Sequence, residues 1–108
     1  MQNDDILLER KDRVAIVTFN RPQRSNAFDE GMWAGLAQVV LQLQSHLPRV
    51  VVVTGAGKNF CAGFDVNPDN PQVSGLIGAV ERRERPPVEA LIRLLQDTVG
   101  GLVSLPVP

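Results

Sequence analysis

The sequence predicts an α/β fold, and three observations carry the prediction. These are a β-branched run at 14–20, apolar residues at three-and-four spacing over 29–47, and an unbroken valine run at 50–53. Strand, helix and strand in that order form a crossover unit that returns the chain to the same sheet. Ahead of it, the apolar run at 6–9 is divided from "VAIVTFN" by "RKDR", a separation short enough for an antiparallel hairpin turning at "KDR". The second strand ends at "NRPQRSN", where a proline and polar residues stop regular pairing and open a loop.

The helix that follows presents Met32, Trp33, Leu36, Val39, Val40, Leu43 and Leu47 on one face. Asp29 is its expected N-cap, since a carboxylate there accepts a first-turn N–H and favours the positive helix end. Gly31 and Gly35 weaken the helix locally, and Pro48 closes it. "RVVVVTG" lacks alternation, which predicts a strand buried on both faces, as in a parallel sheet. Beyond Val66, "NPDNPQVSG" reads as loop, and a short helix through "LIGAVERRER" is expected to end at Pro86 and Pro87. Helical spacing resumes over 88–103, and the closing "SLPVP" stands where the alternation calls for another strand. The chain reads as one domain over 1–108 that is cut short.

Composition narrows the function classes. At 108 residues, with 44% hydrophobic and 21% charged residues and a net charge of -1, the chain reads as globular and has no strong pull on polyanions, so nucleic acid is not an expected partner. One cysteine, Cys61, permits neither an internal disulfide nor a four-cysteine zinc site. The N-terminus lacks a secretion-signal pattern and no segment approaches the ~20 apolar residues of a membrane span, so the cytoplasm is the expected compartment.

The stretch "GAGKNFCAGFDV" at 55–66 concentrates glycines directly after the valine strand. A phosphate cradle is rejected by spacing. The Walker pattern would need glycine at Val52 and a hydroxyl residue at Asn59, and the dinucleotide fingerprint would need glycine at Phe60. Two readings stay open. In one, Gly55 and Gly57 supply positive φ angles and Gly63 admits a close backbone approach. In the other, "CAGFD" offers backbone N–H groups to a substrate oxygen, with glycine keeping side chains clear.

"NRP" at 20–22, "NA" at 26–27 and "GAGKNFCAGFD" at 55–65, in this order around an amphipathic helix, closely resemble the enoyl-CoA hydratase/isomerase, or crotonase, superfamily. The resemblance spans nearly the whole chain and implies a crotonase-like ββα spiral, of which these residues would be the incomplete N-terminal portion. It implies acyl-CoA thioesters as substrates, no metal or redox cofactor, coenzyme A present only as part of the substrate, and assembly into trimers or paired trimers. The implied chemistry is hydration of a 2-enoyl-CoA by way of an enolate. Isomerisation, dehalogenation, decarboxylation or thioester hydrolysis, or a non-catalytic CoA-binding or assembly module, are the alternatives.

By the same resemblance the backbone N–H of Phe64 would be one of two donors to the thioester oxygen, beside Gly63, and the Phe64 ring would narrow the acyl pocket. The backbone of Ala62 would meet the adenine, and the loop at Arg24, Ser25 and Ala27 would line the pantetheine and phosphate portion, with Arg24 and Lys58 offering charge. From the residues themselves, Asp65 is expected to accept local N–H groups and Cys61 to be a small buried side chain. His46 reads as a surface residue near the helix C-terminus. Glu81, Glu84 and Glu89 belong to a charged, solvated segment and match none of the superfamily's acid or base positions, so the 108 residues alone are expected to be inactive and to associate through uncovered surfaces.

Overall fold

A computed structural model describes residues 4–108. Strands β1 (Ile6–Lys11) and β2 (Val14–Phe19) pair antiparallel in a register that sets Lys11 against Val14, leaving a two-residue turn. Asp12 takes φ 57° in that turn, which an aspartate tolerates better than most residues and which makes glycine unnecessary. Helix α1 (Glu30–Ser45) then crosses to strand β3 (Val50–Gly55), which lies parallel to β2. The sheet order is β1-β2-β3.

Ala15, Val17 and Phe19 alternate along β2 and are buried under Met32, Leu36, Val39, Val40 and Leu43 of α1. The Asp29 carboxylate accepts the Met32 N–H at 3.0 Å, the expected cap. The helix stops at Ser45, with His46 as its exposed C-cap, two residues before Pro48.

Three expectations are corrected. β3 is not buried on both faces: Val50 and Val52 are exposed, because among the described residues the sheet is covered on one side only and β3 has a strand neighbour only in β2. Helix α2 (Pro71–Glu81) begins earlier than its apolar pattern suggests, since Asn70 caps it and Pro71 occupies its first position, where a missing N–H costs nothing. Pro86 and Pro87 start a helix and do not end one. Helix α3 (Arg85–Val103) carries them in its first turn, whereas α2 is stopped by Arg83 at φ 58°, with the Glu84 N–H returning to Ala79 O at 2.9 Å.

After α3, Leu105 enters the core and Pro108 O accepts the Val51 N–H at 2.9 Å, so the chain reaches the open edge of β3 although residues 104–108 form no strand. Ile92, Leu94, Val99 and Val103 of α3 remain exposed. None of the described helices is long and apolar enough to cross a membrane.

Candidate functional site

The site is built where the loop after β2 meets the loop after β3. Pro22–Arg24 form a single 3-10 turn, and Ser25 and Asn26 both take left-handed backbone angles, φ 53° and 58°. That reversal drives the Asn26 side chain inward until none of it is exposed. Its Nδ2 donates to Ala56 O at 2.9 Å and to Asn59 O at 2.7 Å, while its Oδ1 accepts the Arg21 N–H at 2.8 Å. One buried amide therefore clasps two loops that lie about thirty residues apart in sequence. Asn59 adds a bond from its Nδ2 to the Ser25 hydroxyl at 3.2 Å.

A second clasp is ionic. The Arg21 guanidinium donates to Ala27 O at 2.6 Å and to the Asp65 carboxylate at 3.2 Å, with Asp29 at 3.6 Å. Asp65 also accepts the Asn67 N–H at 2.9 Å, as its sequence context suggests. That backbone bond, followed by the Arg21 contact, holds its carboxyl below the usual carboxylate range against the opposing pull of burial. Nearby Asp5 moves the other way, raised first by burial and then by Asp29. Asn70 completes the frame. Its Nδ2 donates to Asp65 O at 2.8 Å, and its Oδ1 accepts from Glu30 N at the start of α1 and Gln72 N at the start of α2.

The glycines divide their work differently from the expectation. Gly55 is the position of close approach: a Cβ there would lie 2.5 Å from both Asn59 O and Phe60 O. Gly63 is the positive-φ residue, at 92°, with nothing among the described residues within 4 Å of where a Cβ would stand. Gly57 combines both demands, at φ 76° and against Pro22.

Phe64 forms an isolated parallel bridge with Phe28. Phe28 supplies both of its bonds, from its N–H to Gly63 O at 2.7 Å and from the Asp65 N–H to its carbonyl at 2.8 Å. In a parallel pairing the residue straddled in this way turns its own N–H and C=O to the opposite side. Among the described residues, no hydrogen bond uses the Phe64 N–H.

Beside this bridge lies an open cavity of about 510 Å³ lined by Phe19, Phe28, Trp33, Phe60 and Phe64, with aliphatic side chains from α1, β3 and α3. Gly63 and Phe64 are the only sequence-predicted site residues in its wall. Cys61 lines it too, and is exposed and not buried as expected, because the loop turns outward over residues 56–63. Its Sγ accepts the Gly63 N–H at 3.3 Å. Arg24, Lys58 and Ala62 are exposed on the joined loops outside the cavity. Ser25 is held by Asn59, and the Ala27 carbonyl is occupied by Arg21. Glu81, Glu84 and Glu89 lie at the α2–α3 corner, where Glu84 pairs with Arg82 at 2.6 Å, and none of them lines the cavity.

Sequence reasoning passed over Arg21, Asn26 and Asn70 as organisers of the site. Their signals were present in "NRP", in the Ser-Asn pair that tolerates left-handed angles, and in Asn before Pro at a helix start.

A family profile described as enoyl-CoA hydratase/isomerase matches residues 9–98. The 1,2-epoxyphenylacetyl-CoA isomerase of Escherichia coli is 40% identical over 86 residues, covering 75% of this chain and 33% of that protein. A Mycobacterium leprae protein named "Probable enoyl-CoA hydratase echA12" is 38% identical over 100 residues, covering 88% of this chain and 31% of its own length. Among solved structures, an enoyl-CoA hydratase/isomerase from Xanthobacter autotrophicus Py2 superposes with a TM-score of 0.75 at 30% identity, covering 99% of this chain and 37% of that one. The chain thus spans about a third of the length of the curated relatives it matches. With its hairpin, crossover helix and glycine loop in the family's order, the chain belongs to the enoyl-CoA hydratase/isomerase family of crotonase-fold proteins.

Proposed function

We propose that this chain binds an acyl-CoA thioester with the acyl group in the aromatic cavity and the thioester oxygen at the Phe64 N–H. The observation that carries the reading is an amide donor with no partner among the described residues, fixed on both flanks by Phe28 and bordering an apolar cavity. When a proton leaves or a nucleophile adds, negative charge gathers on the thioester oxygen. A donor already aimed there stabilises that charge more than it stabilises the neutral ester. One such donor contributes about 3 kcal/mol, on the order of a hundredfold in rate. The chemistry of the whole protein, on this reading, is hydration or isomerisation of an enoyl-CoA, and donors of this kind supply the stabilisation without a metal or redox cofactor.

Arg24 and Lys58 are exposed cations on loops that Asn26 and Asn59 bring together, the charge of Arg24 also acting on Asp65, and we assign them to the CoA phosphates. The backbone of Ala62 takes the adenine, while Ser25, Ala27 and Gly63 border the pantetheine path. Among the described residues, no carboxylate, histidine, lysine or arginine lines the cavity wall. The chain is therefore assigned binding and polarisation of the thioester, and no residue of it is assigned as acid or base. Cytoplasmic assembly as a trimer or a pair of trimers is part of the same proposal.

Infrared spectroscopy of an acyl-CoA carrying a ¹³C label in its thioester carbonyl tests the central claim. Binding should shift the carbonyl band to lower frequency, and replacing the amide at Phe64 by an ester, which removes one N–H, should cancel the shift. A band that does not move on binding, or moves equally in the ester variant, refutes it.

A further inference from the structure

The chain contains four phenylalanines, one tryptophan and no tyrosine. Every one of these rings lines the same cavity. They come from four separate places: β2 supplies Phe19, the segment before α1 supplies Phe28, the glycine loop supplies Phe60 and Phe64, and α1 supplies Trp33. Core packing explains part of this grouping. Phe19 and Phe28 are buried and meet edge to face at 4.8 Å between centroids, and Trp33 lies 4.9 Å from Phe28.

It does not explain Phe60. That ring packs tilted against Phe19 at 5.2 Å yet remains 56% exposed, so the chain covers one side of it and leaves the rest open at the cavity. Phe64 likewise stays only partly covered. An aliphatic wall would accept a flexible acyl chain equally well. Rings instead favour another ring, because the negative face and positive edge of each aromatic group reward stacked or edge-to-face contact beyond simple area burial.

Resting on the acyl-CoA reading above, we propose that the cavity selects acyl groups bearing an aromatic ring over straight chains of equal carbon number. Its volume of about 510 Å³ accommodates such a group, since a cavity of ~150 Å³ already takes up benzene. The ring would lie against Phe60 and Phe64, with the thioester at the Phe64 amide. Trp33, as the sole tryptophan, reports directly on occupancy of the same wall.

The test uses the full chain, with 3-phenylpropanoyl-CoA, nonanoyl-CoA and CoA itself as probes. The two acyl groups share a carbon count and differ in the ring. Calorimetry should give about tenfold tighter binding of the phenyl compound than of the nonanoyl compound, equivalent to two aromatic contacts of ordinary strength. Only the two acyl compounds should perturb Trp33 emission. Phe60→Leu, at a side chain already largely exposed, should reduce the preference to about threefold by weakening the phenyl compound. Equal affinity of the two acyl-CoAs, or an unchanged preference in Phe60→Leu, overturns this inference and leaves the acyl-CoA reading standing. If neither acyl-CoA binds more tightly than CoA, both fall.

Discussion

Asn26→Ala removes three hydrogen bonds at once and leaves the Arg21 N–H and the Ala56 and Asn59 carbonyls without partners. A buried polar group so stranded costs about 1–3 kcal/mol. Asn59 lies on an exposed loop that water can reach, so the low end applies and the three together come to about 3 kcal/mol. Alanine is also strained by about 1–2 kcal/mol at φ 58°, an angle asparagine tolerates. The expected loss is therefore about 4–5 kcal/mol, a large share of the ~5–15 kcal/mol that holds a domain of this size together. Urea unfolding followed by Trp33 emission should show the midpoint falling by about 2–3 M at a slope of about 2 kcal/mol per molar. Asn26→Asp sharpens the test, because it keeps an acceptor for Arg21 but turns an oxygen toward two carbonyls, and it should be at least as damaging at pH 7. A midpoint change under about 0.5 M in either variant would refute the clasp.

The glycines and Asp65 give two further tests. Gly55→Ala drives a methyl to 2.5 Å from two carbonyl oxygens and should cost about 1–3 kcal/mol by displacing residues 59–60, whereas Gly63→Ala meets no atom and should cost only the ~1–2 kcal/mol of its backbone angle. Equal structural disturbance, read from backbone chemical shifts at residues 59–60, would contradict that division. The folded-state pKa of Asp65 is lowered, so its ionised form stabilises the fold, and that contribution is present above the ordinary aspartate pKa of ~3.9 and lost as pH falls below it. Asp5, with its raised value, contributes in the opposite sense, so the comparison needs the single change Asp65→Asn. Between pH 7 and pH 3 the variant should lose less stability than the parent in urea titrations, and parallel losses would remove Asp65 from the account.

Elements with one periodicity were legible in the sequence, and elements set by tertiary partners were not. The Asp29 cap and the α1 stripe from Met32 to Leu43 follow from local rules, so the structure repeats them, whereas Leu47 lies past the end of the helix and is exposed. The valine run could not reveal its own burial, since exposure of Val50 and Val52 depends on what covers the second face of the sheet. Pro86 and Pro87 carry no information on whether they follow one helix or begin another, and the deciding residue was Arg83, whose left-handed angle no propensity demands. The glycine loop announced a requirement for bare backbone without saying which glycine meets which need. That division depends on Asn59 and Phe60 folding back over Gly55, a contact made only because Asn26 reaches across from another loop.

The same dependence bears on how a single amide could be ready for a ligand. Residues 55–65 carry three positions of low backbone restraint, Gly55, Gly57 and Gly63, and left alone such a segment would sample many conformations. Here Ala56 and Asn59 are held by Asn26, Gly63 O and Asp65 N by Phe28, and the Asp65 carboxylate and carbonyl by Arg21 and Asn70. The peptide between Gly63 and Phe64 cannot rotate without breaking the bond from Phe28 to Gly63 O. Its N–H orientation is thus fixed by folding and not by the ligand, which is the condition under which a donor acts at full strength on charge that develops later. Arg21, Asn26, Asn59 and Asn70 do not line the cavity, and Phe28 holds the loop through its backbone while its residue lines the wall, so the bonds that fix the amide do not compete with the surface it borders. Glycine supplies the permitted angles, and the surrounding asparagines and arginine remove the freedom that would come with them.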